Sequence, residues 1–152
     1  MSAEIFLADF RGLHRRSFAE KANQDEFMHE NDLSYEIRGA AFKVHSTLGP
    51  GLLESVYESA MAHELRKKEI EVRTQVALPV VYDEIKMEHG FRLDLLVNNK
   101  VIVEIKSVEA LLDVHHKQLL TYLKLSNIKL GLLINFNCMN LNKSMTRIVN
   151  KL

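Results

Sequence analysis

From Leu33 to Leu48 the apolar residues Leu33, Ile37, Ala41, Val44 and Leu48 recur every three or four positions, the spacing of one helix face. Asn31 or Asp32 stands where a helix cap belongs, and Gly49 where a left-handed terminator belongs. "GPG" then breaks the chain. A second helix is predicted in "LLESVYESAMAHELRKKE", with Leu53, Val56, Ala60 and Leu65 as its buried stripe. Glu54 and Tyr57, three apart, share a neighbouring face. "IEVRTQVALPVVY" is rich in β-branched residues and reads as a strand, in which Pro79 calls for an edge or a bulge. "DEIKMEHG" reads as a turn leading into the next strand, and "FRLDLLV" and "VIVEIKS" as a hairpin turning at Asn98 and Asn99. "DVHHKQLLTYLKLS" forms a third helix anchored by Leu119, Leu120 and Leu123. "KLGLLINF" is apolar enough for burial on both faces, and "SMTRIVNKL" reads as a last short strand. This order predicts an α+β fold of three-layer α/β/α type on a mixed sheet.

Residues 1–27 lack such patterning and read as a tail or loosely attached arm. The patterned part, residues 28–152, is a single domain. Its first residue, Met28, is a candidate native start, and the tail belongs to the product only if translation begins at Met1. The chain of 152 residues suffices for one real core and not for two. A hydrophobic content of 47% and a charged content of 26% exclude disorder throughout. The single cysteine, Cys138, allows no intrachain disulfide and is read as an inert, half-buried thiol. Acids near the N-terminus and the lack of a long apolar run argue against a signal peptide or membrane span, so a cytoplasmic location is expected. Net charge is zero, yet residues 114–152 hold six Lys and Arg and no Asp or Glu. Residues 74–113 hold four basic and seven acidic side chains. An acidic centre beside a basic segment suits a cation site under a phosphate backbone; a merely solvated basic surface is the plainer reading.

Three charges interrupt the hairpin's apolar runs: Asp94, Glu104 and Lys106. Glu104 and Lys106 are two apart on one strand and point the same way. A hairpin turning at Asn98 and Asn99 brings Asp94 alongside Glu104. Paired carboxylates repel and resist burial, and a divalent cation relieves both problems. Their hard oxygens suit Mg²⁺ or Mn²⁺, with Lys106 placed to orient water or stabilise phosphate charge. A structural Lys–carboxylate bridge is the alternative.

An acid on one strand followed by Glu-x-Lys on the next resembles the PD-(D/E)xK nuclease superfamily. "GLLESVY" (Gly51, Glu54, Tyr57) matches the pattern that names the GxxExxY protein family. "GPGLLESVYE", "FRLDLLV", "VIVEIKSVE", "QLLTYLKL" and "GLLINFN" resemble that family's blocks in order, from Met28 to Leu152. Gln118 and Tyr122 match the Gln-xxx-Tyr helix of the RecB-like branch. The resemblance implies a restriction-endonuclease-like core and Mg²⁺- or Mn²⁺-dependent phosphodiester hydrolysis. It makes Asp94, Glu104 and the Ile105 backbone carbonyl metal ligands and Glu54 an auxiliary metal- or water-orienting carboxylate. Lys106 becomes the motif lysine, with Gln118 and Tyr122 facing the site. Nucleic acid is the implied partner, DNA before RNA, and a homodimer is compatible with it. Asp94 follows Leu93 where the superfamily pattern has Pro, a common departure.

Other residues are read more plainly. Tyr57 either lines the site beside Glu54 or covers the helix–sheet seam. Gly51 marks a break where a side chain would obstruct, and Gly131 allows close packing of a buried strand. His115 and His116, without a metal-spaced partner, are capping or phosphate-facing residues. Arg66, Lys67 and Lys68 are a solvated helix end. A second function class stays open: a nuclease-like module that binds nucleic acid or protein without cutting.

Overall fold

The stripe Leu33, Ile37, Ala41 and Val44 lines the buried face of α1, Glu30–Leu48, while Leu48 at its end is half-exposed. The computed structural model of the chain describes residues 28–152; the expected tail at residues 1–27 lies outside them. α1 starts ahead of its expected caps. Asp32 sits inside the first turn and accepts the His29 N–H at 3.2 Å, so it caps from within. Gly49 has φ 72° with ψ −176°, a positive φ as expected but not left-handed helical geometry.

In α2, Glu54–Lys67, the buried face is Tyr57, Met61, Ala62 and Leu65, not the predicted stripe. Leu53 precedes the helix and is exposed, as is Val56, whereas Leu65 is buried as expected. The segment carries apolar residues on two faces, and packing against the sheet selects the one bearing Tyr57. The helix end is solvated as predicted: Lys67 pairs with Glu64 and Lys68 with Glu36.

Five strands follow: β1 Val72–Tyr82, β2 Ile85–Val97, β3 Val101–Lys106, β4 Leu130–Asn135 and β5 Met145–Val149. They lie side by side in chain order, with β3–β4 parallel and every other pair antiparallel. The one parallel step needs a crossover, and α3, Asp113–Ser126, supplies it. β1 is an edge strand whose register slips between Leu78 and Val80, so Pro79 sits at both an edge and a bulge. Asn98 and Asn99 both take positive φ (46° and 54°), closing the β2–β3 hairpin where expected.

Two apolar clusters sandwich the sheet. One joins α1 and α2 to Leu95, Val97, Val103, Ile105, Leu132 and Ile134. The other joins Leu119, Tyr122 and Leu123 of α3 to Leu93, Leu96, Ile102 and Leu133. This is the three-layer α/β/α arrangement. At Gly131 an added Cβ would lie 3.0 Å from the Leu119 side chain, which explains the glycine beneath α3.

Candidate active site

The β2–β3 ladder is short. It pairs Val97 with Val101, Leu96 with Ile102 and Leu95 with Val103, and there it stops. On the next rung Asp94 is level with Glu104, but the strands part. The Ile105 N–H instead donates to Asp94 Oδ2 at 2.8 Å, so a carboxylate stands in for a ladder carbonyl. β2 continues alongside β1 while β3 stays with β4, and the acids lie in the fork.

Glu104 is 4% exposed. Its Oε1 lies 3.7 Å from Lys106 Nζ, and its Oε2 is buried with no hydrogen-bond partner among the described residues. Burial, then the charge of Asp94, pushes the Glu104 carboxyl up to about 8, with Lys106 opposing. Burial and the nearby Glu54 also raise Asp94, against the Ile105 N–H and Lys106. An ammonium at 3.7 Å therefore does not offset the desolvation of this pair.

α2 brings Glu54 to the fork from outside. The Ser107 N–H donates to Glu54 Oε1 at 3.2 Å, and Ser107 Oγ donates to the Leu52 carbonyl at 2.6 Å, tying the start of α2 to the end of β3. From the opposite layer, α3 presents Gln118 and Tyr122, whose side chains lie close to one another. Burial and the charges of Glu104 and Asp94 push the Tyr122 hydroxyl up to about 12, so it remains a proton donor facing the acids. Its ring packs at 5.0 Å on Phe91. Asn135, at the end of β4, donates to the Val108 carbonyl and accepts the Val108 N–H, holding the loop after β3.

Tyr57 does not line this fork. It is fully buried and stacks on Phe136 at 4.4 Å. Its hydroxyl donates to the Gly49 carbonyl at 2.6 Å and accepts the Leu52 N–H at 3.1 Å. It thus braces the loop before Glu54, which settles the two readings in favour of the seam. Gly51 does not relieve a clash either: a Cβ there would meet nothing within 4 Å. Its φ of 93° is what requires glycine. His115 and His116 cap α3, with His115 Nδ1 accepting the Leu112 N–H at 3.0 Å and His116 Nδ1 3.1 Å from the Leu112 carbonyl.

Ser107, Glu58 and Gln75 were not singled out from sequence. Glu58 is one turn beyond Glu54, a spacing that places both on one helix face. Gln75 carries no such signal, because its place depends on the β1–β2 register.

The donor set fits a hard divalent cation: two oxygen-bearing acids side by side, one with a buried oxygen lacking a partner. Among the described residues no three His, Cys, Asp or Glu side chains group closely enough to hold an ion. The side chains thus offer a two-carboxylate site whose remaining ligands come from backbone, water or substrate.

Across residues 31–148 the chain matches the family model of the PD-(D/E)XK nuclease superfamily. The chain belongs to this superfamily. No curated protein and no solved structure gives a significant match. The α+β core described above is the restriction-endonuclease-like fold of these nucleases. Asp94, Glu104 and Lys106 lie on the two hairpin strands, inside the matched residues. No helix among the described residues is long and apolar enough to cross a membrane.

Proposed function

We infer that the chain is a divalent-metal-dependent nuclease, hydrolysing phosphodiester bonds in nucleic acid at the β2–β3 fork. The observation that carries this reading is the buried Glu104 carboxylate, whose Oε2 has no partner among the described residues, beside Asp94 and Lys106. A buried acid so placed is costly unless it meets a cation. Asp94, Glu104 and the Ile105 carbonyl are the ligands for Mg²⁺ or Mn²⁺, with Glu54 orienting water at its edge. The bound ion supplies Lewis-acid polarisation of the phosphodiester and neutralises its charge. Lys106 Nζ positions the attacking water and donates to phosphate oxygens. Tyr122, held protonated beside Gln118, donates to the substrate backbone. Exposed Lys117 and Lys124 on the same helix give cationic contacts for that backbone. DNA is the favoured substrate. Membership of the GxxExxY family and of the RecB-like branch belongs to this reading, supported by Gly51–Glu54–Tyr57 and Gln118–Tyr122.

The test is cleavage of end-labelled single- and double-stranded DNA and RNA with Mg²⁺, Mn²⁺ or chelator. Cleavage that needs the ion and is lost in Glu104→Gln is expected. Metal-dependent binding of nucleic acid with no product would replace this reading by a non-catalytic binding module.

A further inference from the structure

Both strands of the β1–β2 ribbon are distorted at one rung. On β1, Gln75 has φ 51°, left-handed backbone in the middle of a strand. A non-glycine residue resists this conformation, and it persists only where surrounding contacts impose it. The ladder pairs Thr74 with Leu95 and Val76 with Leu93 but omits the rung between them, where Gln75 faces Asp94. On β2, Leu93 and Leu95 are two apart, yet Leu93 joins the α3-side cluster and Leu95 the opposite one. Regular alternation would put them on one face. The break in alternation falls on Asp94.

The Gln75 side chain fills that rung. Its Nε2 donates to Glu58 Oε2 at 2.6 Å and lies 3.5 Å from Asp94 Oδ1. One neutral amide therefore stands between two carboxylates, one from α2 and one from β2. Asp94 Oδ2 is already fixed by the Ile105 N–H. The two contacts together define the carboxylate plane, while each oxygen keeps a further lone pair free for a ligand.

Building on the nuclease reading, we propose that Gln75 is a positioning residue of this site: anchored by Glu58, its amide locks the Asp94 carboxylate in the orientation that the β2–β3 fork requires. Gln75 touches no reacting atom. Its left-handed backbone is the conformation that brings the amide across the missing rung.

Gln75→Asn and Gln75→Gly test this in the full chain. Both residues accept positive φ, so the fold is kept, but neither reaches Glu58 and Asp94 together. The first readout needs no metal. A freed Asp94 side chain releases the Ile105 N–H, so exchange of that amide by NMR accelerates about tenfold, the equivalent of one hydrogen bond, while Val103 and Leu133 amides are unchanged. Glu58→Ala, which removes the anchor, moves Ile105 in the same direction. The second readout is Mn²⁺ affinity by calorimetry, expected to weaken about tenfold in both Gln75 variants with no fall in Tm. Ile105 exchange within about twofold of wild type in both Gln75 variants overturns the proposal. A role limited to bending the strand predicts wild-type exchange and affinity in Gln75→Gly, and also overturns it. Wild type that neither binds Mn²⁺ nor cleaves, with Ile105 still released by the variants, sinks the nuclease reading and leaves the positioning role standing.

Discussion

β3 and β4 are parallel neighbours of equal length, each buried along nearly its whole extent, yet they use that burial differently. In register, Glu104 of β3 pairs with Leu133 of β4. Leu133 is fully buried and packs beneath α3 beside Leu119 and Leu123. Glu104 is almost as buried, yet one oxygen has no partner among the described residues, and its proton is held to about pH 8. Two strands with the same environment thus differ at one rung by an acid that weakens the fold. Stability alone does not explain that choice, whereas the cation site proposed at the fork beside Asp94 would.

Exchanging the two residues breaks the comparison. Leu133→Glu places a second buried acid in β4 directly opposite Glu104, and a loss of about 3–5 kcal/mol in urea unfolding is expected. In the reverse direction, Glu104→Leu makes β3 resemble β4. We expect a gain of about 1–4 kcal/mol at neutral pH, with cleavage reduced at least about a thousandfold. A destabilised Glu104→Leu would mean that the acid holds the fold together and is not a functional burden.

The pH dependence sharpens the same contrast. Glu104 keeps its proton in the folded chain to about pH 8, against an ordinary value of 4.5 unfolded. Between these values the native state binds the proton that the unfolded state releases. Its stabilising contribution is therefore full below pH 4.5 and lost as pH rises to about 8. This slope, on the order of a few kcal/mol, is expected in wild type and reduced in Glu104→Leu by thermal unfolding across that range. The smallest effect is at Gly131→Ala, where the new methyl presses on Leu119: about 1–2 kcal/mol lost, with Mn²⁺ binding and cleavage intact. Impaired Mn²⁺ binding in that variant would mean that β4 packing, and not the fork alone, sets the site.

The strands, their order along the chain and the two hairpin acids were legible because each leaves a local trace. β3 and β4 are runs of β-branched and aliphatic residues; Glu104 stands out within β3, and Asp94 within the apolar end of β2. The Asn98–Asn99 turn fixed how those acids meet. The phase of α2 was not legible: Leu53, Val56 and Ala60 mark one apolar face, Tyr57, Met61 and Leu65 another, and only the sheet chooses. Tyr57 drew attention as part of GxxExxY, but its hydrogen bonds to Gly49 and Leu52 come from a loop geometry no spacing encodes. Gln75 was hidden for a related reason. An exposed polar residue in an edge strand is ordinary, and its left-handed backbone arises where two strands and α2 converge.

On the proposed reading, Glu104 is kept buried for a cation. Calorimetric titration of Mn²⁺ above pH 8, on wild type and on Glu104→Leu, tests it most directly. Saturable binding to wild type and its loss in a variant that is folded and more stable are expected. Equal binding by both proteins, or none by wild type, contradicts it.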